Sequence, residues 1–131
     1  MKLGRLLAIA ILCTPGASFA ERQLTADQNI VSHDCADDDT VTVDADENLV
    51  TITGPCRLVR VKGEQNQITL TSAAKIEVSG SQNHVKVDAV DAMRVPGSQN
   101  WITYQRTVSK KKGAKPTISS TGHDNVISRG E

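Results

Sequence analysis

Apolar and polar residues alternate in short runs along most of the chain. The segments 59–61 and 68–70 carry an apolar side chain at every second position, and 76–78 and 85–87 repeat this arrangement. A period of two residues is typical of β-strands that bury one face. The pattern therefore predicts short strands around a shared core, with polar side chains directed outward. The predicted core positions in two consecutive units are Val59, Val61, Ile68, Leu70, Ile76, Val78, Val85 and Val87.

A motif of eight residues recurs at the corner between successive strands. The sequences GSQNHVKV at 80–87 and GSQNWITY at 97–104 are nearly identical, and GEQNQITL and GHDNVISR are further copies. The consensus is G-x-x-N-x-V-x-V, and its asparagines follow one another at steps of 18, 17, 17 and 25 residues. We expect the glycine to adopt a positive φ where a Cβ would be costly, and the asparagines to bond the bend and form a ladder. The residues assigned to this structural repeat are Asn48, Gly63, Asn66, Gly80, Asn83, Gly97, Asn100, Gly122 and Asn125.

The repeat length decides between fold classes. A unit of 17 or 18 residues with two strands is too short for a strand–helix–strand crossover. It suits one coil of a β-solenoid, in which equivalent residues stack about 4.8 Å apart. Stacking would place Arg60, Glu77 and Arg94 in one outward column of alternating charge, which is favourable. The sequence predicts an all-β fold, a short β-solenoid of about five coils. An antiparallel β-meander or sandwich, with the G-x-x-N bends as hairpin turns, is the alternative.

The first twenty residues have the order of a secretory signal. Lys2 and Arg5 precede the apolar run 6–12, and small residues lead to Ala20. We expect residues 1–20 to be a signal peptide and residues 21–131 to form a single repeat β domain, exported to the periplasm or the cell exterior. Cys13 leaves a lipoprotein signal as the alternative. The apolar run is too short to span a bilayer, and no later segment is apolar enough to anchor the mature chain in a membrane.

The cysteines predict a disulfide, and the charged residues are unevenly distributed along the chain. Removal of the signal leaves Cys35 and Cys56, and an even pair in an oxidising compartment predicts a disulfide. Residues 21–55 hold nine acidic side chains and one basic, whereas residues 56–131 hold six acidic and twelve basic. The acidic stretch HDCADDD at 33–39 fits no calcium-loop spacing, and we interpret it as a charged cap on exposed strand edges.

The repeat units and the cysteines resemble those of the domain-of-unknown-function 3060 family. The resemblance rests on the four G-x-x-N-x-V-x-V units, a cysteine near the start and a second one after TITGPC, and it covers roughly residues 33–129. It implies an exported all-β repeat domain with a structural disulfide, and it implies no activity. The chain departs from the family pattern at Ala45, where a glycine is expected, and between Asn100 and Asn125, where the step is too long.

The long step contains the first candidate for a binding surface. Residues 105–116 read QRTVSKKKGAKP, with five bases and no acid, and the alternative is a solvated link. Trp101 lies in the outward row that follows each asparagine, where an exposed tryptophan is a candidate interface anchor. The alternative for Trp101 is that it lies flat against the long link. His84 and His123 have no evident partner. The candidate binding residues are Trp101, Arg106, Lys110, Lys111, Lys112 and Lys115.

Composition and spacing narrow the function classes. Acids on strands, such as Glu77 and Asp88, are scattered singles, whereas glycoside hydrolysis needs a facing pair of carboxylates. No G-x-S-x-G motif occurs, so we expect no enzyme. Two thiols without a nearby His pair at ligand spacing argue against zinc, and we expect no metal and no cofactor. Few aromatic residues argue against nucleic acid as a partner.

The predicted function is that of a non-catalytic exported binding protein presenting a rigid β-solenoid face to a protein partner, which would be acidic if the basic link contributes. One version is an inhibitor or immunity protein of an envelope toxin or hydrolase. The alternative is a structural or adhesive component of the bacterial envelope, in which the acidic and basic ends promote self-association.

Overall fold

The computed structural model describes residues 21–25, 29–109 and 114–130. All regular structure within these ranges is β, in nine strands. The predicted signal peptide, residues 1–20, lies outside the described residues. The strands are β1 (Glu21–Leu24), β2 (Ile30–Asp34), β3 (Thr40–Val43), β4 (Leu49–Val61), β5 (Gln67–Val78), β6 (His84–Val95), β7 (Trp101–Arg106), β8 (Thr117–Ser120) and β9 (Val126–Arg129).

Every strand pairing is parallel, which identifies a solenoid. The long strands β4, β5 and β6 pair along nearly their whole length and each supplies both sides of one coil. Two more coils consist of consecutive strands, β2 followed by β3 and β7 followed by β8. Strands β1 and β9 add half a coil at either end. The predicted β-solenoid of about five coils is confirmed. The antiparallel alternative is wrong, because equivalent residues of successive coils are direct neighbours.

Each coil contributes one strand segment to each of two faces. The Trp101 face consists of β2, residues 49–53, 67–71 and 84–88, β7 and β9. The Arg94 face consists of β1, β3, residues 57–61, 74–78 and 91–95, and β8. On the Arg94 face the predicted charge column is confirmed, since Arg94 Nη1 lies 3.5 Å from Glu77 Oε2. The pair is exposed, so it contributes about 1 kcal/mol at most.

The core lies between these two faces and consists of stacked aliphatic columns. Val59, Ile76 and Met93 form one column and are at most 2% exposed. All eight core positions predicted from the alternation are buried. A fully buried side chain of this size contributes about 1.5–3 kcal/mol, so the columns are the main stabilising element.

A buried asparagine ladder connects the corners. The backbone N–H of Asn66 donates to Asn83 Oδ1 at 3.0 Å, and that of Asn83 donates to Asn100 Oδ1 at 3.0 Å. The side-chain amides of Asn66, Asn83, Asn100 and Asn125 also donate to the carbonyl of the preceding corner, as Asn83 Nδ2 does to Gly63 at 2.9 Å, whereas Asn48 Nδ2 has no partner among the described residues. The predicted ladder is confirmed, and it satisfies polar groups that would otherwise be buried without partners.

The corner glycines were predicted to adopt a positive φ at a place where a Cβ would be costly. The positive φ is wrong, whereas the cost of a Cβ is confirmed. Positive φ angles of 56–58° occur at the residue before each asparagine, namely Glu47, Gln65, Gln82, Gln99 and Asp124. The corner glycines are needed for close approach instead. A Cβ on Gly80 would overlap the carbonyl oxygen of Gly63 in the preceding coil. Tight stacking of the coils, rather than a left-handed bend at the glycine, therefore excludes any side chain there.

One repeat unit, at Asn29, was not predicted from the sequence. The N–H of Asn29 donates to Asn48 Oδ1 at 2.9 Å, so Asn29 extends the ladder by one step. Ile30 and Val31 then begin β2, which pairs with β4. The unit lacks the second apolar residue of the motif, because His33 occupies that position. The asparagine followed by Ile-Val was the signal that would have revealed it.

The predicted disulfide joins Cys35, in the turn after β2, to Cys56 in the middle of β4. The two Cα atoms are 5.1 Å apart, and the residues are 21 positions apart in the sequence. Both cysteines are buried, at 3% and 4% exposure. The bond therefore ties the first complete coil to the second.

We expect the double variant Cys35→Ser, Cys56→Ser to lose about 3 kcal/mol of unfolding free energy, because an unfolded chain without this loop gains conformational freedom. Urea unfolding followed by far-UV circular dichroism measures the change. The reduced native chain serves as the control and is expected to match the variant. An unchanged urea midpoint in both samples would contradict the stapling role.

The acidic stretch 33–39 comprises the end of β2 and the turn that leads to β3, near the amino-terminal end of the solenoid. Asp34 Oδ1 accepts the N–H of Ala36 at 2.9 Å within the turn. Asp39 Oδ2 lies 3.5 Å from Arg57 Nε on β4. In the described part of the chain, no three His, Cys, Asp or Glu side chains are grouped so that they could hold a metal ion.

Candidate functional site

An exposed, largely apolar row runs along the Trp101 face, parallel to the solenoid axis. It consists of the residue that follows each corner asparagine, and the parallel register aligns these residues one above the other. Four of its six members are apolar, with exposures between 41% and 85%. The row consists of Ile30, Leu49, Gln67, His84, Trp101 and Val126. The outward position predicted for Trp101 is confirmed, because its side chain is 56% exposed.

Trp101 packs against its neighbour in this row, His84. The ring centroids are 5.6 Å apart and the planes are inclined by 30°. The contact follows from the register, since His84 and Trp101 are direct partners across β6 and β7. The expectation that His84 has no partner was wrong. Both residues lie on paired strands, so binding would not need to order their backbone.

A second row of short hydroxyl side chains flanks the apolar row. It consists of Ser32, Thr51, Thr69, Lys86, Thr103 and Ser128. Lys86 interrupts the hydroxyls and, with Thr69, Asp88 and Gln105, borders a shallow depression of about 300 Å³. The Trp101 face thus combines exposed apolar side chains with adjacent hydrogen-bond donors and acceptors.

Of the candidate basic residues that the structure describes, Arg106 and Lys115 lie outside the exposed row that contains Trp101. Arg106 Nη2 lies 3.1 Å from Asp88 Oδ2, and Asp91 Oδ1 accepts the N–H groups of Val108 and Ser109. Lys115 and Arg106 line a cavity at the carboxyl-terminal end of the solenoid, and Trp101 is not among its lining residues. The candidates Lys110, Lys111 and Lys112 lie outside the described residues.

That terminal cavity contains residues which the sequence pattern did not single out. Its volume is about 340 Å³, and its lining includes Tyr104 and Arg129. These two residues are direct partners across β7 and β9. Sequence analysis missed them because they occupy core-facing positions of the repeat, where only apolar side chains were expected.

The repeat geometry agrees with a family comparison. The family model described as Protein of unknown function (DUF3060) matches residues 43–81 and 73–124. The chain belongs to this family. The two matches together cover most of the coils and include the asparagine ladder from Asn48 to Asn100, so the ladder and its corner glycines are features of the DUF3060 domain as folded here. None of the curated proteins or solved structures shows significant similarity to the chain.

Several carboxylates of the DUF3060 domain are bonded within the solenoid. Asp39, Glu77 and Asp88 pair with arginines, and Asp91 accepts backbone N–H groups. No helix found in those ranges is long and apolar enough to cross a membrane.

Proposed function

We propose that this DUF3060 domain is an exported, non-catalytic binding protein that presents its Trp101 face to a protein partner. The aligned exposed row from Ile30 to Val126 carries the proposal, because single exposed apolar residues are ordinary, whereas here Ile30 adjoins Leu49 and Trp101 adjoins Val126, with Gln67 and His84 between the two pairs. Export is supported by the signal-like sequence of residues 1–20 and by the Cys35–Cys56 disulfide, which is compatible with an oxidising compartment.

Trp101 is the expected centre of this interface. Tryptophan is enriched among residues that dominate binding energy, and here its ring lies against that of His84. The hydroxyl row supplies hydrogen bonds at the edge of the contact. A rigid, flat surface of this kind suits an inhibitor or immunity protein that covers the site of an envelope toxin or hydrolase.

The ends of the solenoid give less support to the alternative function, a structural component that stacks head to tail. Arg22 occupies a core-facing position above Val41, and Arg129 occupies one below Tyr104. Stacking of two copies would remove both charges from water, which is costly. Polar end coils of this kind keep a repeat protein soluble.

Capture experiments with matched variants test the proposal. The mature chain, residues 21–131, is immobilised and exposed to native envelope extract. We expect Trp101→Ala to reduce recovery of a specific partner by about tenfold or more, as removal of an interface anchor does. The control is Lys75→Ala, which shortens an exposed side chain on the Arg94 face and should leave recovery within about twofold.

Folding of both variants is checked by circular dichroism before capture. Equal recovery with Trp101→Ala and with the native chain would contradict a partner-binding role for the Trp101 face. Recovery of further copies of the same chain, and of nothing else, would instead favour the structural alternative.

A further inference from the structure

The cavity at the carboxyl-terminal end of the solenoid has an unusual lining. Seven residues border it, and three of them carry a positive charge while none carries a negative one. The lining residues are Tyr104, Arg106, Thr107, Ala114, Lys115, Pro116 and Arg129. Its volume of about 340 Å³ falls within the range of small-molecule sites.

The cavity lies where one core column changes from aliphatic to polar side chains. Ile52, Leu70 and Val87 stack in consecutive coils at one core-facing position. The next two members of the column are Tyr104 and Arg129. Capping the core would require only polar side chains of either sign. The uniform positive charge around the opening is not explained by capping.

Two of the three charges have no acidic partner within the described ranges. Arg106 is paired with Asp88, whereas Arg129 donates through Nε to the carbonyl oxygen of Gln105 at 3.0 Å, and no ion pair involves Lys115. Among the described lining residues, two cations are therefore without an acidic partner. Guanidinium groups are suited to oxygen-rich anions because they present several donors in one plane.

We propose that this cavity binds a phosphate monoester, held by Arg129 and Lys115 with Arg106 at the rim. A phosphate monoester carries about −1.5 to −2 charges at neutral pH, which matches the two unpaired cations. Ala114 and Pro116 form the apolar wall against which the organic part of the ester lies. The site is independent of the proposed partner-binding role of the Trp101 face, and either can fail without the other.

An NMR titration tests the site. Glycerol phosphate is added to the ¹⁵N-labelled mature chain at low salt, and the amide signals of residues 104–107, 114, 115, 129 and 130 are followed. We expect saturable shifts confined to these residues, and affinity should fall as the pH drops below about 6, where the ester loses its second charge. Acetate, a single charge, should bind more weakly.

Variants distinguish a site from general attraction of anions. Arg129→Gln and Lys115→Gln should each weaken binding by about tenfold, because each removes one of two unpaired cations. Lys75→Gln removes the same charge from the Arg94 face and should leave affinity unchanged. Lys115 lies on an exposed segment, so its variant remains informative even if Arg129→Gln lowers stability.

Sedimentation with vesicles separates the two sources of such a group. Binding to phosphatidic acid vesicles, absent with phosphatidylcholine and abolished by Lys115→Gln, would support a lipid headgroup as the ligand. Binding of glycerol phosphate without sedimentation would support a soluble ester. Linear, non-saturating shifts, or equal affinities for the Lys115 and Lys75 variants, would overturn the proposal.

Discussion

Replacement of Gly80 by alanine is expected to lower the unfolding free energy by about 3 kcal/mol or more, a large fraction of the stability of a small domain. The added Cβ would overlap the carbonyl oxygen of Gly63 and lie 2.6 Å from that of Lys62. Both atoms belong to the backbone of the preceding coil, so relief would require separation of two coils that are hydrogen-bonded along their length.

The control for this prediction is Ser79→Ala, one residue away. Ser79 is exposed, and its contact with the preceding coil is a backbone hydrogen bond to Val61 that alanine retains. We expect its urea midpoint to stay within the range of ordinary surface substitutions, about 0.5 kcal/mol. If Gly80→Ala unfolded at the same urea concentration as Ser79→Ala, close coil stacking would not be the reason for the glycine.

Replacement of Asn83 by alanine is expected to cost about 3 kcal/mol, because several buried polar groups lose their partners at once. Asn83 Oδ1 accepts from the N–H and the Nδ2 of Asn66. Asn83 Nδ2 donates to the carbonyl of Gly63 and to Asn100 Oδ1. The side chain is 1% exposed, so water cannot substitute for these bonds.

The matched control uses a second ladder on the outside of the same corner. Gln65, Gln82 and Gln99 form side-chain hydrogen bonds of 3.3 Å in succession, and these residues are exposed. Gln82→Asn shortens the side chain but retains a residue that tolerates a positive φ. We expect this variant to change stability by about 0.5 kcal/mol at most. Equal losses for Asn83→Ala and Gln82→Asn in urea unfolding would refute the importance of burial.

These corner bonds also bear on the proposed function. They hold successive coils in parallel register, which aligns the outward residues of the Trp101 face into rows. A row aligned in this way is preorganised, and binding then requires little loss of conformational freedom. A corner variant that loosens the coils should therefore weaken partner capture even though no corner residue lies in the apolar row.

Much of the architecture was predictable because it is written in short-range patterns. Alternation with period two assigned the core side chains, and the 17-residue step between asparagines implied parallel stacking, since equal steps place equal residues over each other. The Cys35–Cys56 pair followed from the count of cysteines. The Asn29 unit was missed because His33 replaces the second apolar residue of the motif.

The sequence by itself thus determined the repeat, the strand faces and the exposure of Trp101, because each depends on residues within one or two coils. Only the tertiary structure decided which side chains meet across coils. The parallel register brings His84 onto Trp101, and it places Arg129 beneath Tyr104 although 25 positions separate them. Because the step after Asn100 is longer than the other steps of the repeat, a fixed repeat period does not predict that Arg129 lies next to Tyr104. The need for glycine at the corner was likewise decided by the carbonyl of the coil above it, a contact that no local pattern contains.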